Sequence, residues 1–167
     1  MSKGISGLYH GTHGEKVANA IKPSTQKAAV TSWAERTAER LAGTSKRQRD
    51  KFRTACVAVD EATGEMYFGR NGGIDRDHAR HNPILFGDGS HPGILPQQSL
   101  NAYPTSWNCA ESDAINAALN AGARLENLHI YTIGTGRNDF GRPKPSCLNC
   151  TSAYRGRIKR NNTGWVE

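Results

Sequence analysis

The sequence predicts one α/β domain in which helices flank a mixed β-sheet. A chain of 167 residues has the length of a single domain. Its hydrophobic periodicity alternates between helical and strand patterns, in the order helix, hairpin, long loop, helix, strand, helix. A hairpin is antiparallel and a strand–helix–strand crossover is parallel, so we expect both pairings in one sheet.

The first half of the chain supplies a helix and a hairpin. Residues 1–25 have few apolar anchors, which predicts an irregular arm. Apolar residues recur every three or four positions over 26–41, which predicts a helix. Two short apolar runs, 54–60 and 65–69, surround a glycine-containing loop and predict a β-hairpin. We expect residues 1–53 to pack as an arm and helix on a core formed by 54–167.

The second half alternates long polar loops with short regular elements. Residues 71–106 are rich in Asn, Gly, Pro, Asp and His, and a loop of this length inside a compact domain is usually functional. After it we predict a helix over 109–121, a buried strand over 128–133, a loop over 135–146, a helix over 147–159 and a final strand over 163–167.

The composition and net charge exclude some classes of protein. The net charge is +7 and the pI is about 9.5, which favours an anionic partner such as nucleic acid. No apolar run approaches the roughly 18 residues that span a bilayer, and the first residues lack the apolar core of a secretory signal. Leu, Ile, Val and Phe make up about 16% of the chain, so we expect a small core.

Three of the four cysteines open predicted helices. Cys109 begins one helix, and Cys147 and Cys150 begin another at a spacing that turns both thiols to one side. Three thiolates supply three tetrahedral ligands to one zinc ion and leave the fourth position for water. A Cys-x-x-Cys pair alone is equally typical of a redox or structural thiol set. Cys56 lies in the middle of a strand, where a buried apolar thiol is expected.

Glu111 follows Cys109 by two residues and is the predicted catalytic group. From the first turn of its helix, its carboxylate can reach the open side of the metal and move a proton from water. A purely structural zinc site would have no use for an acid at that place.

These residues resemble the zinc-dependent cytidine deaminase superfamily, whose signature is His or Cys-x-Glu followed by Pro-Cys-x-x-Cys. Cys109-Ala-Glu111 matches the first part and Cys147-x-x-Cys150 the second, although Ser146 stands between Pro145 and Cys147. The run from Asn108 to Gly122 and the hairpin are similar to the YwqJ-like branch of bacterial polymorphic-toxin deaminases. The resemblance covers about residues 54–155.

The resemblance implies a three-layer cytidine-deaminase-like fold and one catalytic zinc ion. Only 17 residues follow Cys150, so we expect few or short C-terminal strands. It implies hydrolytic deamination with Glu111 carrying the protons, most plausibly of cytosine in single-stranded DNA by a toxin-type effector domain that acts in the cytoplasm. It also implies a possible immunity protein as partner. For the substrate contacts we single out Asn71, Trp107, Ala110 and Ser146, with Trp107 suited to stack on a base.

Two other functions fit the same residues. One is a deaminase of a free nucleoside, nucleotide or related metabolite, and the other is a non-catalytic zinc module that binds nucleic acid. We expect no membrane partner and a monomer or weak oligomer. Two basic stretches, 45–53 and the tail, are expected to contact phosphates. In the tail the predicted nucleic-acid contacts are Arg155, Arg157, Lys159 and Arg160.

Overall fold

The computed structural model of the chain describes residues 5–74, 80–101 and 107–166, with side chains from residue 13 onward. The helices are α1 Ile5–Ala20, α2 Pro23–Leu41, α3 Lys46–Lys51, α4 Pro83–Phe86, α5 Ala110–Asn120 and α6 Leu148–Tyr154. The strands are β1 Thr54–Asp60, β2 Met66–Arg70, β3 Leu128–Gly134 and β4 Arg160–Asn161, and a 3-10 turn spans Leu125–Asn127. No helix in the described part of the chain is long and apolar enough to cross a membrane.

The four strands form one mixed sheet in the order β2-β1-β3-β4, which confirms the predicted fold class. β1 is antiparallel to both β2 and β3, whereas β3 and β4 are parallel. β2 and β3 therefore point the same way, and α5 forms the crossover between them. The predicted hairpin and the predicted parallel crossover are both present.

Helices cover both faces of the sheet, so the molecule has three layers. Successive side chains of a strand point to opposite faces, and in β1 this alternation divides the core into two clusters. Ala55, Val57 and Val59 pack with α2, while Cys56 and Ala58 pack with α5 and α6. β1 is buried on both faces, which explains its small and apolar residues.

Helix α5 lies unusually close to β2 because of one glycine. A Cβ atom on Gly69 would lie 2.3 Å from the Ala114 nitrogen and 2.6 Å from the Ala110 oxygen. Both distances are far shorter than a van der Waals contact, so only glycine allows the backbones to approach this closely. This contact places the start of α5 against the carboxyl end of β2.

The prediction of an irregular N-terminal arm is wrong, because residues 5–20 form helix α1. Its composition is rich in glycine and has low helix propensity, but tertiary contacts at its end compensate. Ala20 is buried against the α2 side of the sheet, and the Gln26 side chain donates to the Ala20 carbonyl. Lys16 also pairs with Glu65 of the hairpin at 2.8 Å.

The C-terminal elements are shorter than predicted and shifted. Helix α6 ends at Tyr154 because Gly156, at φ +85°, follows its cap in the left-handed conformation that terminates helices. The predicted strand over 163–167 is wrong for the described residues up to 166. The paired segment is β4, Arg160–Asn161, and Trp165 makes only an isolated bridge to Ser146. The expectation of few or short C-terminal strands is confirmed.

Candidate metal centre

Two helix starts bring the three predicted ligands together. Cys109 is the N-cap of α5 and Cys147 the N-cap of α6, with Cys150 one turn further along α6. Their sulfur atoms all lie within 4.8 Å of one another. In the described part of the chain, this is the one group of three or more Cys, His, Asp or Glu side chains close enough to hold a metal ion. The predicted ligand set is therefore assembled as expected.

The three sulfurs are close enough to share one metal ion and are not joined by a disulfide. The Cys109 and Cys147 sulfurs are 3.0 Å apart, and all cysteines in the described residues are free thiols. A disulfide bond is about 2.05 Å long, whereas two sulfurs on one tetrahedral zinc ion lie roughly 3.8 Å apart. Thiolate ligands favour soft metals such as zinc. The site can thus hold one metal ion through three sulfurs.

The three thiols of the trio are coupled to one another. Contact with Cys109 and Cys150 lowers the pKa of Cys147, and contact within the trio, together with burial, raises the pKa values of Cys109 and Cys150. Metal binding requires the thiolate form of such ligands.

Glu111 is buried next to the sulfurs, on the first turn of α5. Its residue is only 4% exposed, and it makes no ion pair with any residue that the structure describes. Burial raises its pKa, and the negative charge of Cys147 raises it further. The Ser146 hydroxyl opposes part of this increase. A buried carboxyl with a raised pKa beside a cluster of thiols is typical of a functional site.

The polar groups around Glu111 come from different strands and loops. Ser146 is fully buried, and its hydroxyl accepts a hydrogen bond from the Asn161 amide at 2.9 Å. The Thr132 hydroxyl is buried and has no hydrogen-bond partner within the described residues. Ala110, a predicted substrate contact, is fully buried between Cys109 and Glu111. Thr132 was missed by sequence reasoning, although its β-strand register with Cys56 places both on the α5 side.

Two asparagines connect the long loop to the start of α6 through hydrogen bonds. The buried Asn149 side chain accepts from the Leu100 amide at 2.7 Å and donates to Ser99 at 3.0 Å. In return, Asn101 accepts from the Leu148 amide at 3.1 Å, and its side chain also lowers the pKa of Cys147. Both residues flank metal ligands in space, and no pattern in the sequence indicated their role.

The other part of the loop is held by two asparagines of α5. Asn116 and Asn120 both donate to the Arg80 carbonyl, and both accept hydrogen bonds from Asn82. A cleft of about 700 Å³, lined in part by His81 and Asn116, lies beside these hydrogen bonds. The long loop is thus tied to both helices that carry the cysteines.

Trp107 belongs to an aromatic cluster near the cysteines. His81 stacks on Phe86 at 3.9 Å between ring centroids, and Trp107 lies 5.9 Å from His81 and 6.2 Å from Phe86. Trp107 is half-buried against the α5 side of the core. Contact between Trp107 and a substrate stays a prediction. Tyr103 and His78, which sequence reasoning also considered, lie outside the described residues.

Asn71 is engaged with backbone groups of the preceding segment. Its side-chain oxygen accepts from the amides of Arg53 and Thr54 at 2.9 and 3.0 Å, and its nitrogen donates to the Lys51 carbonyl. The neighbouring Gly72 amide donates to the Asn108 carbonyl at 3.3 Å. These contacts explain a structural role for Asn71, while contact with substrate stays a prediction.

The tail cations lie away from the sulfurs along the sheet. The Lys159 backbone amide donates to the carbonyl of Leu128, the first residue of β3. Arg160 lies opposite His129 in the parallel register of β4 and β3. Arg155 and Arg157 follow the carboxyl end of α6, whose amino end holds the cysteines. All four side chains are exposed, and their contact with nucleic acid stays a prediction.

The structure supports the metal-binding part of the resemblance described above. No protein-family model, curated protein or solved structure matches this chain. What is observed is a three-cysteine cluster that can bind one metal ion, in a mixed α/β fold. The identity of the metal, the reaction and the substrate are matters of proposal.

Proposed function

We propose that the protein is a zinc-dependent hydrolytic deaminase that converts cytosine to uracil in nucleic acid, with single-stranded DNA as the favoured substrate. The observation that carries the proposal is Glu111, buried beside three sulfurs and free of any ion pair in the described residues. A structural thiolate site would leave the burial of this acid unexplained, because burying an unpaired carboxyl is costly.

Each residue of the site has a chemical task in this reaction. Cys109, Cys147 and Cys150 hold the ion, which when bound supplies a nucleophile from water at neutral pH by lowering the pKa of water to about 7. Glu111 accepts a proton from the attacking water and delivers protons to the ring nitrogen and the departing amine. A carbon–oxygen bond forms, the carbon–nitrogen bond breaks, and ammonia leaves.

Ser146 positions the acid in this proposal. Its hydroxyl favours the ionised carboxylate of Glu111, and Asn161 fixes this hydroxyl with a hydrogen bond. A proton carrier with fixed surroundings loses less freedom when it meets the substrate, which favours the transition state.

The net positive charge of the chain supports a polyanionic substrate. The net charge of +7 favours association with nucleic acid through phosphate contacts. A base in a single strand is already unpaired, so it avoids the unpairing cost of a few kcal/mol that duplex DNA would add. A bacterial toxin-type effector that acts on DNA is the role we propose, and an immunity protein would be its natural partner.

Glu111→Gln tests the chemistry directly. We expect the variant to bind one zinc ion as the wild type does and to lose turnover by about 10²–10⁴-fold, the usual contribution of general acid–base catalysis. The measurement is ammonia release from a cytosine-containing oligonucleotide and, separately, from cytidine, dCMP and adenosine, with zinc content determined on the same samples.

The matched control is Glu126→Gln, which changes the same functional group at an exposed site. It should leave zinc content and turnover unchanged. Full activity of the Glu111 variant would refute its role as proton carrier. Turnover of the monomers alone would refute the polynucleotide substrate. Zinc-loaded wild-type protein that deaminates none of the four substrates would refute the proposed function.

A further inference from the structure

The two basic stretches look alike in sequence but lie at opposite ends of the sheet. We call the end where β1 begins at Thr54 and β3 ends at Gly134 the cysteine end, and the end where β1 reaches Asp60 and β3 begins the opposite end. Residues 46–53 lie at the cysteine end, directly before β1. The tail cations of 155–160 lie toward the opposite end.

A short chain of hydrogen bonds joins the first stretch to the metal centre. The Asn71 side chain binds the Lys51 carbonyl and the Arg53 amide, as described above. The next residue, Gly72, donates to the carbonyl of Asn108, which directly precedes the ligand Cys109. Helix α3 is anchored on the other side by Phe52, which is buried against the α2 face of the sheet. The basic helix therefore lies on the α2 side of the sheet, at the same end as the start of α5, and residues 71–72 connect the two.

A second loop adds cations at the same end. The Thr135 amide donates to the Arg53 carbonyl at 2.9 Å, so the loop that follows β3 starts against the basic stretch. That loop carries exposed Arg137 and Arg142 and leads to the ligand Cys147. Two separate segments thus present positive charge next to the helix starts that hold the sulfurs.

The cations at the cysteine end are mostly not neutralised. Arg47 and Lys51 are exposed on α3 and form no ion pair with any residue that the structure describes. Lys46 reaches Asp50 only at 3.8 Å, with both side chains largely exposed, so this pair contributes little. Unpaired cations on a fixed element are available to a polyanion.

At the opposite end, charged side chains contact other groups of the protein. Glu61 contacts both His129 at 2.8 Å and Lys159 at 3.8 Å. Arg157 donates to the Ala153 carbonyl at the end of α6. Lys159 and Arg157 are thus engaged within the protein, and Lys159 faces an acid.

We propose that the surface formed by residues 46–53, Arg137 and Arg142 binds the sugar–phosphate backbone of the polynucleotide and so delivers a base to the metal centre. This inference rests on the proposed function. The cations lie on two separate segments, helix α3, which is about 9 Å long, and the loop that carries Arg137 and Arg142. A polynucleotide offers a phosphate at every nucleotide and can contact both segments, whereas a mononucleotide offers phosphate at one end only.

The test compares two charge-matched double variants, R47Q/K51Q and K159Q/R160Q. The probe is a fluorescein-labelled oligothymidine of about 20 nucleotides, longer than the 4–16 nucleotides typical of a single-strand site. It contains no exocyclic amine, so it cannot be deaminated during the measurement. Binding to the zinc-loaded full chain is followed by fluorescence anisotropy from 50 to 200 mM salt, and thermal melting verifies that both variants are folded.

We expect R47Q/K51Q to bind more weakly than K159Q/R160Q at every salt concentration. The logarithm of the binding constant falls linearly with the logarithm of salt concentration, and each phosphate contact of a single strand contributes about 0.7 to that slope. A variant that loses two contacts should therefore show a fold-loss of affinity between 50 and 200 mM salt that is about sevenfold smaller than that of the wild type. K159Q/R160Q should keep the wild-type slope. Equal losses in both variants, or a loss only in K159Q/R160Q, would overturn the proposal and favour the tail.

The outcome separates this proposal from the proposed function. If the wild type binds through α3 but deaminates no substrate, the surface stands and the deaminase assignment fails. If the wild type deaminates cytidine but does not bind the oligonucleotide, the surface is refuted and the deaminase chemistry stands.

Discussion

The two ends of the β-sheet differ in how many of their charged side chains form ion pairs. At the opposite end, Lys16 pairs with Glu65, Arg124 with Glu126, and Glu61 with His129 and Lys159. At the cysteine end, Lys144 pairs with Asp139 in the loop after β3. Glu111 is buried there without an ion pair in the described residues, and exposed Arg47 and Lys51 of α3 have none there either. Paired charges add modestly to stability, while unpaired ones are retained where they act on something else.

Glycine and asparagine mark the cysteine end in a second way. Gly69 allows α5 to touch β2. The Asn71 amide ties the segment after β2 to residues 51–54, and the amides of Asn101 and Asn149 tie the long loop to the start of α6. Neutral amides satisfy backbone groups without adding charge to the site. The electrostatics of the centre are thus left to the sulfurs and Glu111.

The largest expected effect comes from removing one ligand. Cys150→Ser should lower the metal content from one ion per chain to near zero and lower the melting temperature, because metal binding contributes directly to folding free energy, about 10–16 kcal/mol in small zinc sites. Elemental analysis and thermal denaturation measure both.

Cys56→Ser is the matched control, since Cys56 is equally buried but lies outside the trio. It should keep one metal ion per chain and lose only about 1–3 kcal/mol for burying a hydroxyl. A Cys150 variant that still binds one equivalent of metal would show that the trio is not the site.

A smaller effect is expected from Gly69→Ala. The added methyl group would collide with the backbone of α5 at 2.3 and 2.6 Å, so the start of α5 must move away from β2. Overpacking of this kind costs about 1–3 kcal/mol, and the shift of Cys109 should weaken metal binding in a chelator competition.

Gly43→Ala provides the comparison, because a methyl group there meets nothing within 4 Å. It should leave metal affinity unchanged and raise the free energy of unfolding by up to about 1 kcal/mol. If the two variants were equally stable in urea, the close contact between α5 and β2 would not constrain the site.

The smallest effect lies at the opposite end. His129 donates to Glu61 and, with Lys159, holds the pKa of Glu61 below its usual 4.5. A lowered folded-state pKa adds stability above the unfolded-state value, and this stability is lost as pH falls through the folded-state value. Glu61→Gln should therefore cost about 1 kcal/mol or less at pH 7, with the difference vanishing in acid.

Urea denaturation across pH measures this difference. Glu39→Gln, an exposed residue of α2, reports the effect of removing a carboxylate without these partners. A Glu61 variant whose deficit stayed constant down to acidic pH would contradict the ion-pair interpretation.

The elements that carry the site were predictable because their signals are local. Cys147 and Cys150 face one way through the helical period alone, and the two short apolar runs around a glycine-containing loop predicted the hairpin. The N-terminal helix α1 was not predictable, since its composition disfavours a helix and its stability comes from contacts of Ala20 and Lys16 with the rest of the fold. The C-terminal strand was misplaced because its hydrogen bonds depend on β3, not on its own pattern.

By itself the sequence determined the fold class, the three sulfurs and the acid that accompanies them, since each follows from periodicity or from spacing within one turn of a helix. Only the tertiary structure decided that Cys109 meets Cys147 across 38 positions, that asparagine amides clasp the loops, and which basic stretch lies beside the metal centre. These are contacts between segments distant along the chain, and packing of the whole core establishes them.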